Sequence, residues 1–373
     1  MKNILFIIGT RPEAIKMAPI IRELRMRQGM RVHVCVTSQH REMLQSVLPY
    51  FDVTPDIDLD VMNVGQSVNG VLAKILDRLP KVFASKSPDM VLVQGDTATC
   101  FAGAVAAFGQ GISVGHVEAG LRTHDLGNPF PEEGYRQMVS RIASIHFAPT
   151  VSAAKSLRGE GIERNVHITG NTVIDALLYA KEYLISHPEA AHVLALPQDL
   201  QMGARPFVLV TGHRRENFGE PFRAICLAIR QLAEIYPMMS FVYPVHLNPR
   251  VQQPVRDILS NIPNVYLIEP QPYMPFVGLM QRCQWVLTDS GGIQEEAPSL
   301  RKPVLVMRKT TERPESVQAG TSLLVGTDVS SIVAASARII EDKTLYKTMS
   351  TTLSPYGDGT SSRKICDILQ EFL

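Results

Sequence analysis

The sequence predicts an α/β protein made of two doubly wound parallel-sheet domains, and three observations carry that prediction. Short apolar runs alternate with stretches of helical length along the chain, which is the pattern of parallel strands covered by helices on both faces. The alternation restarts after residue 170, so one chain holds two such series. At 373 residues, the chain has room for two to three domains of roughly 150 residues each.

In the first series the apolar runs are residues 4–8, 32–37, 90–94, 112–117, 146–149 and 166–169. Residues 68–84 and 133–144 between them have helical length and spacing. The second series has runs at 207–211, 241–245, 265–268, 285–288, 304–307 and 323–325. Residues 187–206, with Pro188, Pro197, Gly203 and Pro206 and weak periodicity, predict an irregular connection. Two such domains in one chain suggest a cleft between them.

Composition excludes several function classes. Hydrophobic residues make up 45% and charged residues 20% of the chain, enough to build a core and too apolar for disorder. Lys and Arg total 37 against 36 Asp and Glu, a net charge of +1, so there is no whole-protein attraction to nucleic acid or anionic membranes. The five cysteines are scattered without a CxxC pair. That disfavours a disulfide framework or structural zinc and points to a reducing, cytoplasmic setting. The apolar run at residues 4–8 ends at Gly9, Arg11 and Glu13, too soon for a secretory segment. Residues 97–117 are uncharged but carry Gly103, Gly109, Gly111, Gly115, Gln110 and His116. They read as a buried helix, a turn and a buried strand rather than a membrane span.

In doubly wound folds ligands gather at the carboxyl ends of the strands, so the turns that follow each strand are where chemistry is expected. The first turn is Gly9-Thr10-Arg11-Pro12-Glu13. Thr10 and Glu13 have capping-box spacing and Pro12 suits a first helical turn. Arg11 and Lys16 beside free N–H groups make this either an anion site or an exposed cap with two solvated bases. Pro19 predicts a kink or a restart in this helix. No GxGxxG leaves a strand and no Walker A motif is present, so a dinucleotide redox cofactor or P-loop chemistry has little support.

Asp96, in Gln94-Gly95-Asp96-Thr97, is either a helix cap or a functional acid. Glu118 ends a very apolar strand, and either pairs with Arg122 or points into the cleft. Glu132, at the start of a helix, read alone offsets the macrodipole. The functional reading gains from all three acids falling at one edge of one sheet. In the second series, His213-Arg214-Arg215 directly after a strand signals a phosphate or another anion. Residues 288–296 run from a strand into Ser290-Gly291-Gly292 and then a helix, which offers bare backbone N–H groups to a diphosphate. Glu296 lies further on, where a ribose could be held, and residues 310–315 form another charged turn. The cysteines read as packing residues, and His33, His146, His167 and His192 as background.

Taken together, the segments Gly9–Lys16, His116–Thr123, Pro131-Glu132-Glu133, His213–Asn217, Asp289–Glu296 and Pro355–Gly359 resemble the non-hydrolysing UDP-N-acetylglucosamine 2-epimerases of bacteria. The resemblance implies the GT-B fold, two Rossmann-like domains with a cleft between them. It sets the domains at 1–170 plus a returning C-terminal helix of about 356–373, carrying the catalytic acids, and 171–355, binding UDP. It also implies a homodimer with no metal and no cofactor.

The same resemblance places Arg11 and Lys16 at the substrate, Asp96, Glu118 and Glu132 as catalytic acids, and His213 by the diphosphate. Gln271 and Phe276 would hold the uracil, Ser290, Gly291 and Gly292 the phosphates and Glu296 the ribose, with Arg313 lining the cleft. Gln39, Arg214 and His246 fit a second substrate site known in some members, whereas Glu42 and Gly65 replace its usual Gln and Arg. Tyr135 stands where members have Asn before Arg136, and Gln94 where His is common.

The activity implied is reversible conversion of UDP-N-acetylglucosamine to UDP-N-acetylmannosamine, supplying N-acetylmannosamine units for cell-surface polysaccharide. The C2 proton of the sugar has no neighbouring carbonyl to acidify it, so the route implied is elimination of UDP to a 2-acetamidoglucal and its re-addition. A GT-B glycosyltransferase, a hydrolysing epimerase and a catalytically silent UDP-sugar sensor are the rival readings. The three acids stand against the sensor, and the Glu118 and Glu132 motifs against an ordinary transferase.

Overall fold

The computed structural model describes residues 1–38, 46–62, 65–193 and 195–373. The chain divides into two compact units, Met1–Leu178 with Tyr356–Leu373, and Tyr179–Pro355.

In the first unit, strands β1 (Lys2–Ile8), β2 (Met30–Val36), β3 (Ile57–Asp58), β4 (Met90–Gln94), β5 (Ser113–Val117), β6 (Ile145–Ala148) and β7 (Val166–Ile168) form a parallel sheet in the order β3-β2-β1-β4-β5-β6-β7. The edge strand β3 is absent from the sequence reading, since two residues at a sheet edge leave no apolar run. The connecting helices are α1 (Arg11–Arg25), α2 (Val68–Lys86), α3 (Ala98–Gly109), α4 (Glu132–Ile142), α5 (Val151–Gly159) and α6 (Thr172–Ser186), the last running across the unit boundary. Residues 97–117 resolve into α3, a turn and β5, as their glycines imply. Gly103 lets α3 sit close on the sheet: a Cβ there would lie 3.1 Å from Ile7 and 3.2 Å from Val93.

Pro19 does not interrupt α1. A proline in mid-helix removes one hydrogen bond, and here the residue is buried in the helix's inner face, between Ala18 and Ile20. The C-terminal helix (Ser361–Phe372) packs on α1. Arg27 ties it there, donating to Asp367 at 2.5 Å and to Gln370 at 2.6 Å.

The second unit holds β8 (Phe207–Thr211), β9 (Ser240–Pro244), β10 (Val265–Ile268), β11 (Val286–Thr288), β12 (Val304–Val306) and β13 (Ser322–Leu324), parallel in the order β10-β9-β8-β11-β12-β13. Its longer helices are α7 (Glu220–Ile235), α8 (Pro249–Leu259), α9 (Tyr273–Arg282), α10 (Gly291–Ser299), α11 (Val329–Glu341) and α12 (Lys343–Thr351). The connection at 187–206 is more ordered than its composition suggests, with helical turns at Pro188–Ala191 and Gln198–Gln201. Arg282 fastens it by donating to the carbonyls of Gln201 and Ala191. No helix among the described residues is long and apolar enough to cross a membrane.

Both sheets have a switch point where the strand order reverses, between β1 and β4 in one and between β8 and β11 in the other. The crevice at the carboxyl ends of such a strand pair is the expected ligand position. The turns that follow these four strands are Gly9–Glu13, Gly95–Thr97, Gly212–Arg214 and Asp289–Gly291.

Candidate active site

At each switch point a fully buried carboxylate pins the backbone of the neighbouring turn. In the first unit this is Glu13, which accepts from the N–H groups of Gly9 at 2.9 Å and Thr10 at 2.6 Å and from the Thr97 hydroxyl at 2.7 Å. It thereby ties the turn after β1 to the turn after β4. Burial pushes its pKa up from 4.5 to about 6, against the pull of these hydrogen bonds.

An acid whose pKa is raised by folding binds its proton more tightly in the folded state. Its contribution to stability is therefore greatest below pH 4.5 and is lost as pH rises through 6. The expected loss is on the order of 2 kcal/mol, from 1.36 kcal/mol per unit. Denaturant titrations at pH 4.5 and 7 should show this slope in the wild-type chain and not in Glu13→Gln, whose amide oxygen can still accept from the Gly9 and Thr10 N–H groups while its NH2 donates to the Thr97 hydroxyl. Equal slopes in the two proteins would contradict the assignment.

Three side chains of the first unit donate to the Glu118 carboxylate. Lys16 reaches Oε1 from α1, Gln94 reaches Oε2 from the end of β4, and Asn171 reaches Oε1 at 3.1 Å from the turn after β7. The Glu118 backbone is left-handed, with φ of 62°, which costs a non-glycine residue about 1–2 kcal/mol. These contacts hold the residue there.

Asp96 pairs with Arg136 at 2.5 Å, and Arg136 approaches Glu133 at 3.5 Å. Burial raises the Asp96 pKa, Arg136 and Lys16 oppose the rise, and Glu118 and Glu132 add to it. Asp96 thus lies within electrostatic range of both Glu118 and Glu132. Thr97, not Asp96, caps α3, accepting from the Cys100 N–H, so the cap reading of Asp96 does not hold.

Arg122, four residues beyond Glu118, pairs instead with Glu160 through two hydrogen bonds of 2.7 and 3.0 Å. Glu132 is the first residue of α4. Its neighbour Glu133 is buried and accepts from the N–H groups of Thr123 at 3.0 Å and His124 at 3.2 Å, which makes it a loop anchor. His116 is buried, with its pKa pushed down to about 3 by burial. Neutral, it donates to the Gly95 carbonyl at 2.8 Å and fixes the turn that carries Asp96. Tyr135 stacks on Phe101 with ring centroids 4.7 Å apart. Arg11 sits half-buried at the start of α1.

In the second unit the pinning carboxylate is Asp289. It accepts from the N–H groups of His213 and Arg214, both at 2.9 Å, and from the Asn217 amide at 3.2 Å. His213 stacks on His246 at 5.3 Å. Partial burial lowers its pKa, helped by His246 and Arg214 and opposed by Asp289. The Arg214 guanidinium lies over the start of α10, where a Cβ on Gly291 would stand 3.2 Å from it. Ser290 precedes Gly291 and Gly292 at this helix start, and Glu296 is buried further along α10. Gln271 follows β10, its amide donating to the Glu269 carbonyl at 2.6 Å, and Phe276 lies half-buried on α9.

Arg313 donates to the buried Glu295 of α10. Arg308 is buried between Glu216 and Glu312, each engaged by two hydrogen bonds. Burial works against its charge, but the two carboxylates raise its pKa above the ordinary value, and Arg308 in turn holds Glu312 down at about 2. This ion group locks the turn after β8 to the turn after β12. Gln39 and Glu42 lie outside the described residues.

Sequence reasoning gives Glu13 only a capping role and assigns none to Asn171, Asp289 or Arg308. These residues sit in or near strand-end turns, the position that marks the others, but their work is done on backbone N–H groups and on other side chains that only the fold brings near.

Comparison with known proteins adds the family context. The family model for UDP-N-acetylglucosamine 2-epimerase matches residues 22–370. The UDP-N-acetylglucosamine 2-epimerase of Salmonella typhimurium is 49% identical over 371 residues, 99% of each chain. The crystal structure of UDP-GlcNAc 2-epimerase from Neisseria meningitidis bound to UDP-GlcNAc superposes with a TM-score of 0.92 at 47% identity, covering 99% of this chain and 100% of that one. A glycosyltransferase of kitacinnamycin, 13% identical, superposes with a TM-score of 0.63 over 99% of this chain and 98% of its own. That last likeness is of fold alone, and the architecture of two parallel-sheet units is GT-B.

Proposed function

This chain belongs to the UDP-N-acetylglucosamine 2-epimerase family, and from that premise we propose that it interconverts UDP-N-acetylglucosamine and UDP-N-acetylmannosamine without releasing the sugar. It is an isomerase, a UDP-N-acetylglucosamine 2-epimerase. The proposed route is elimination and re-addition. A carboxylate removes the C2 proton, the C1–O bond breaks with its electron pair leaving on UDP, and a C1=C2 double bond forms. In the return step a proton is delivered to the other face of C2, and the same UDP oxygen closes the bond to C1.

The observation that carries this reading is the clustering of Asp96 and Glu118, with Glu132 in electrostatic range, at the switch point of the first sheet. Two-faced proton transfer needs more than one acid–base group, and Lys16 and Arg136 offset the negative charge there. Asp96, its pKa raised by burial, is placed to exchange a proton nearer neutrality than a free carboxyl. In the second unit His213, Ser290, Gly291, Gly292 and Arg313 would hold the departing diphosphate, as backbone N–H groups and cations at a helix start suit an anion. Gln271 and Phe276 would hold the uracil and Glu296 the ribose. Arg11 would meet the substrate beside Lys16, and Arg214 and His246 would belong to a second nucleotide-sugar site. All five cysteines are buried thiols, which supports a cytoplasmic setting. We read the working form as a homodimer and the product as a source of N-acetylmannosamine units for cell-surface polysaccharide.

Anion-exchange separation of the products tests the reading against hydrolysis: the sugar should remain attached to UDP in both epimers. Accumulating free N-acetylmannosamine with UDP would assign the hydrolysing reaction instead. Arg313→Ala should weaken UDP binding by about tenfold or more, the loss expected for one charge-assisted contact. Calorimetric titration showing unchanged affinity would remove Arg313 from the nucleotide site.

A further inference from the structure

We propose that Gln94 and Asn171 are positioning residues for Glu118, and that Asn171 makes the C-terminal segment part of that positioning. Gln94 is buried at the last residue of β4 and directs its amide N–H to Oε2 of Glu118. Asn171 is buried in the turn after β7 and directs its amide N–H to Oε1 at 3.1 Å. The two amides reach the carboxylate from different strand ends, while Lys16 brings the charge. A carboxylate held this way keeps one orientation, and each donated N–H favours its charge against the burial and the neighbouring Asp96 that oppose it.

The Asn171 amide is not free to turn away. The Asn171 side-chain oxygen accepts from the Val173 N–H at 3.1 Å, which orients its NH2 group toward Glu118. Its backbone N–H donates to the Tyr356 carbonyl at 2.7 Å. Tyr356 is buried and opens the segment that returns to the first unit. Next to it, a Cβ on Gly170 (φ 88°) would fall 2.5 Å from the Ser361 hydroxyl and 3.3 Å from the Tyr356 carbonyl. The Ser362 N–H donates to Asp175 at 2.7 Å. A path of hydrogen bonds and close packing therefore runs from the start of the C-terminal helix through Asn171 to the acid.

This inference rests on the proposed role of Glu118 in proton transfer at C2, and the experiment separates the two. The pH dependence of kcat, KM for UDP-N-acetylglucosamine and UDP affinity are measured for Gln94→Met, Asn171→Leu, Gly170→Ala and Glu118→Gln, with circular dichroism as the fold control. Each amide variant should lose about tenfold to a hundredfold in kcat, the range for losing one hydrogen bond to a charged group. Its acidic limb should move to higher pH, with UDP affinity kept. Gly170→Ala should show the same displaced limb without touching either amide.

If Glu118→Gln is inactive while folded Gln94→Met and Asn171→Leu keep the wild-type pH profile and kcat, the positioning role is overturned. Should Asn171→Leu not fold, Gln94→Met decides alone, because it enters from another strand. Near-normal turnover in Glu118→Gln would instead overturn the proton-transfer reading itself.

Discussion

Glu118→Gln should lower turnover by roughly 10²- to 10⁴-fold, the contribution of a positioned acid–base group, with UDP affinity nearly unchanged. The substitution preserves size but replaces one accepting oxygen by an NH2 group. That group must then face Lys16, Gln94 or Asn171, all of which donate to this site. The variant thus loses the base and part of the network that holds it. The proposed nucleotide contacts lie in the other unit, at the starts of α10 and of the turn after β8, and do not depend on it. Steady-state kinetics paired with calorimetric titration of UDP gives both readings. Turnover near the wild-type value would remove Glu118 from the mechanism.

The second large effect is expected from Asp289→Ala, through stability and binding together. Asp289 is fully buried and accepts from three donors, two of them backbone N–H groups that begin the His213-Arg214 turn. Truncation leaves those donors buried without an acceptor, at about 1–3 kcal/mol each, so the second unit should lose on the order of 3–5 kcal/mol. With the turn released, UDP affinity should fall by about a hundredfold, equivalent to the roughly 3 kcal/mol of two such bonds. Thermal unfolding followed with and without UDP shows both. An unmoved transition with full affinity would mean that Asp289 is not the pin of this turn.

The strand series was legible because parallel strands buried on both faces are written as continuous apolar runs. Residues 90–94, 207–211 and 265–268 coincide with β4, β8 and β10, and the remaining runs differ by one or two residues at their ends. The short β3 left no such trace. The candidate acids were legible from their place after strands, since Asp96 and Glu118 follow β4 and β5. Their partners were not. Arg122 is four residues from Glu118 and reads as a natural partner, yet Lys16, 102 residues away, holds it. Sequence proximity favours a local pair, whereas the switch-point topology puts the ends of β1, β4 and β5 side by side. The pins Glu13 and Asp289 were obscure for a similar reason, because a carboxylate that serves backbone N–H groups looks in sequence like any helix cap or turn acid.

Inversion of C2 by proton transfer through an eliminated intermediate can be read from proton NMR of the enzyme with UDP-N-acetylglucosamine in D2O. UDP-N-acetylmannosamine should form carrying deuterium at C2, with no added cofactor, and deuterium should then appear in the recovered substrate. Epimer that retains its C2 proton would contradict exchange with a protein acid and, with it, the roles given to Asp96, Glu118 and Glu132.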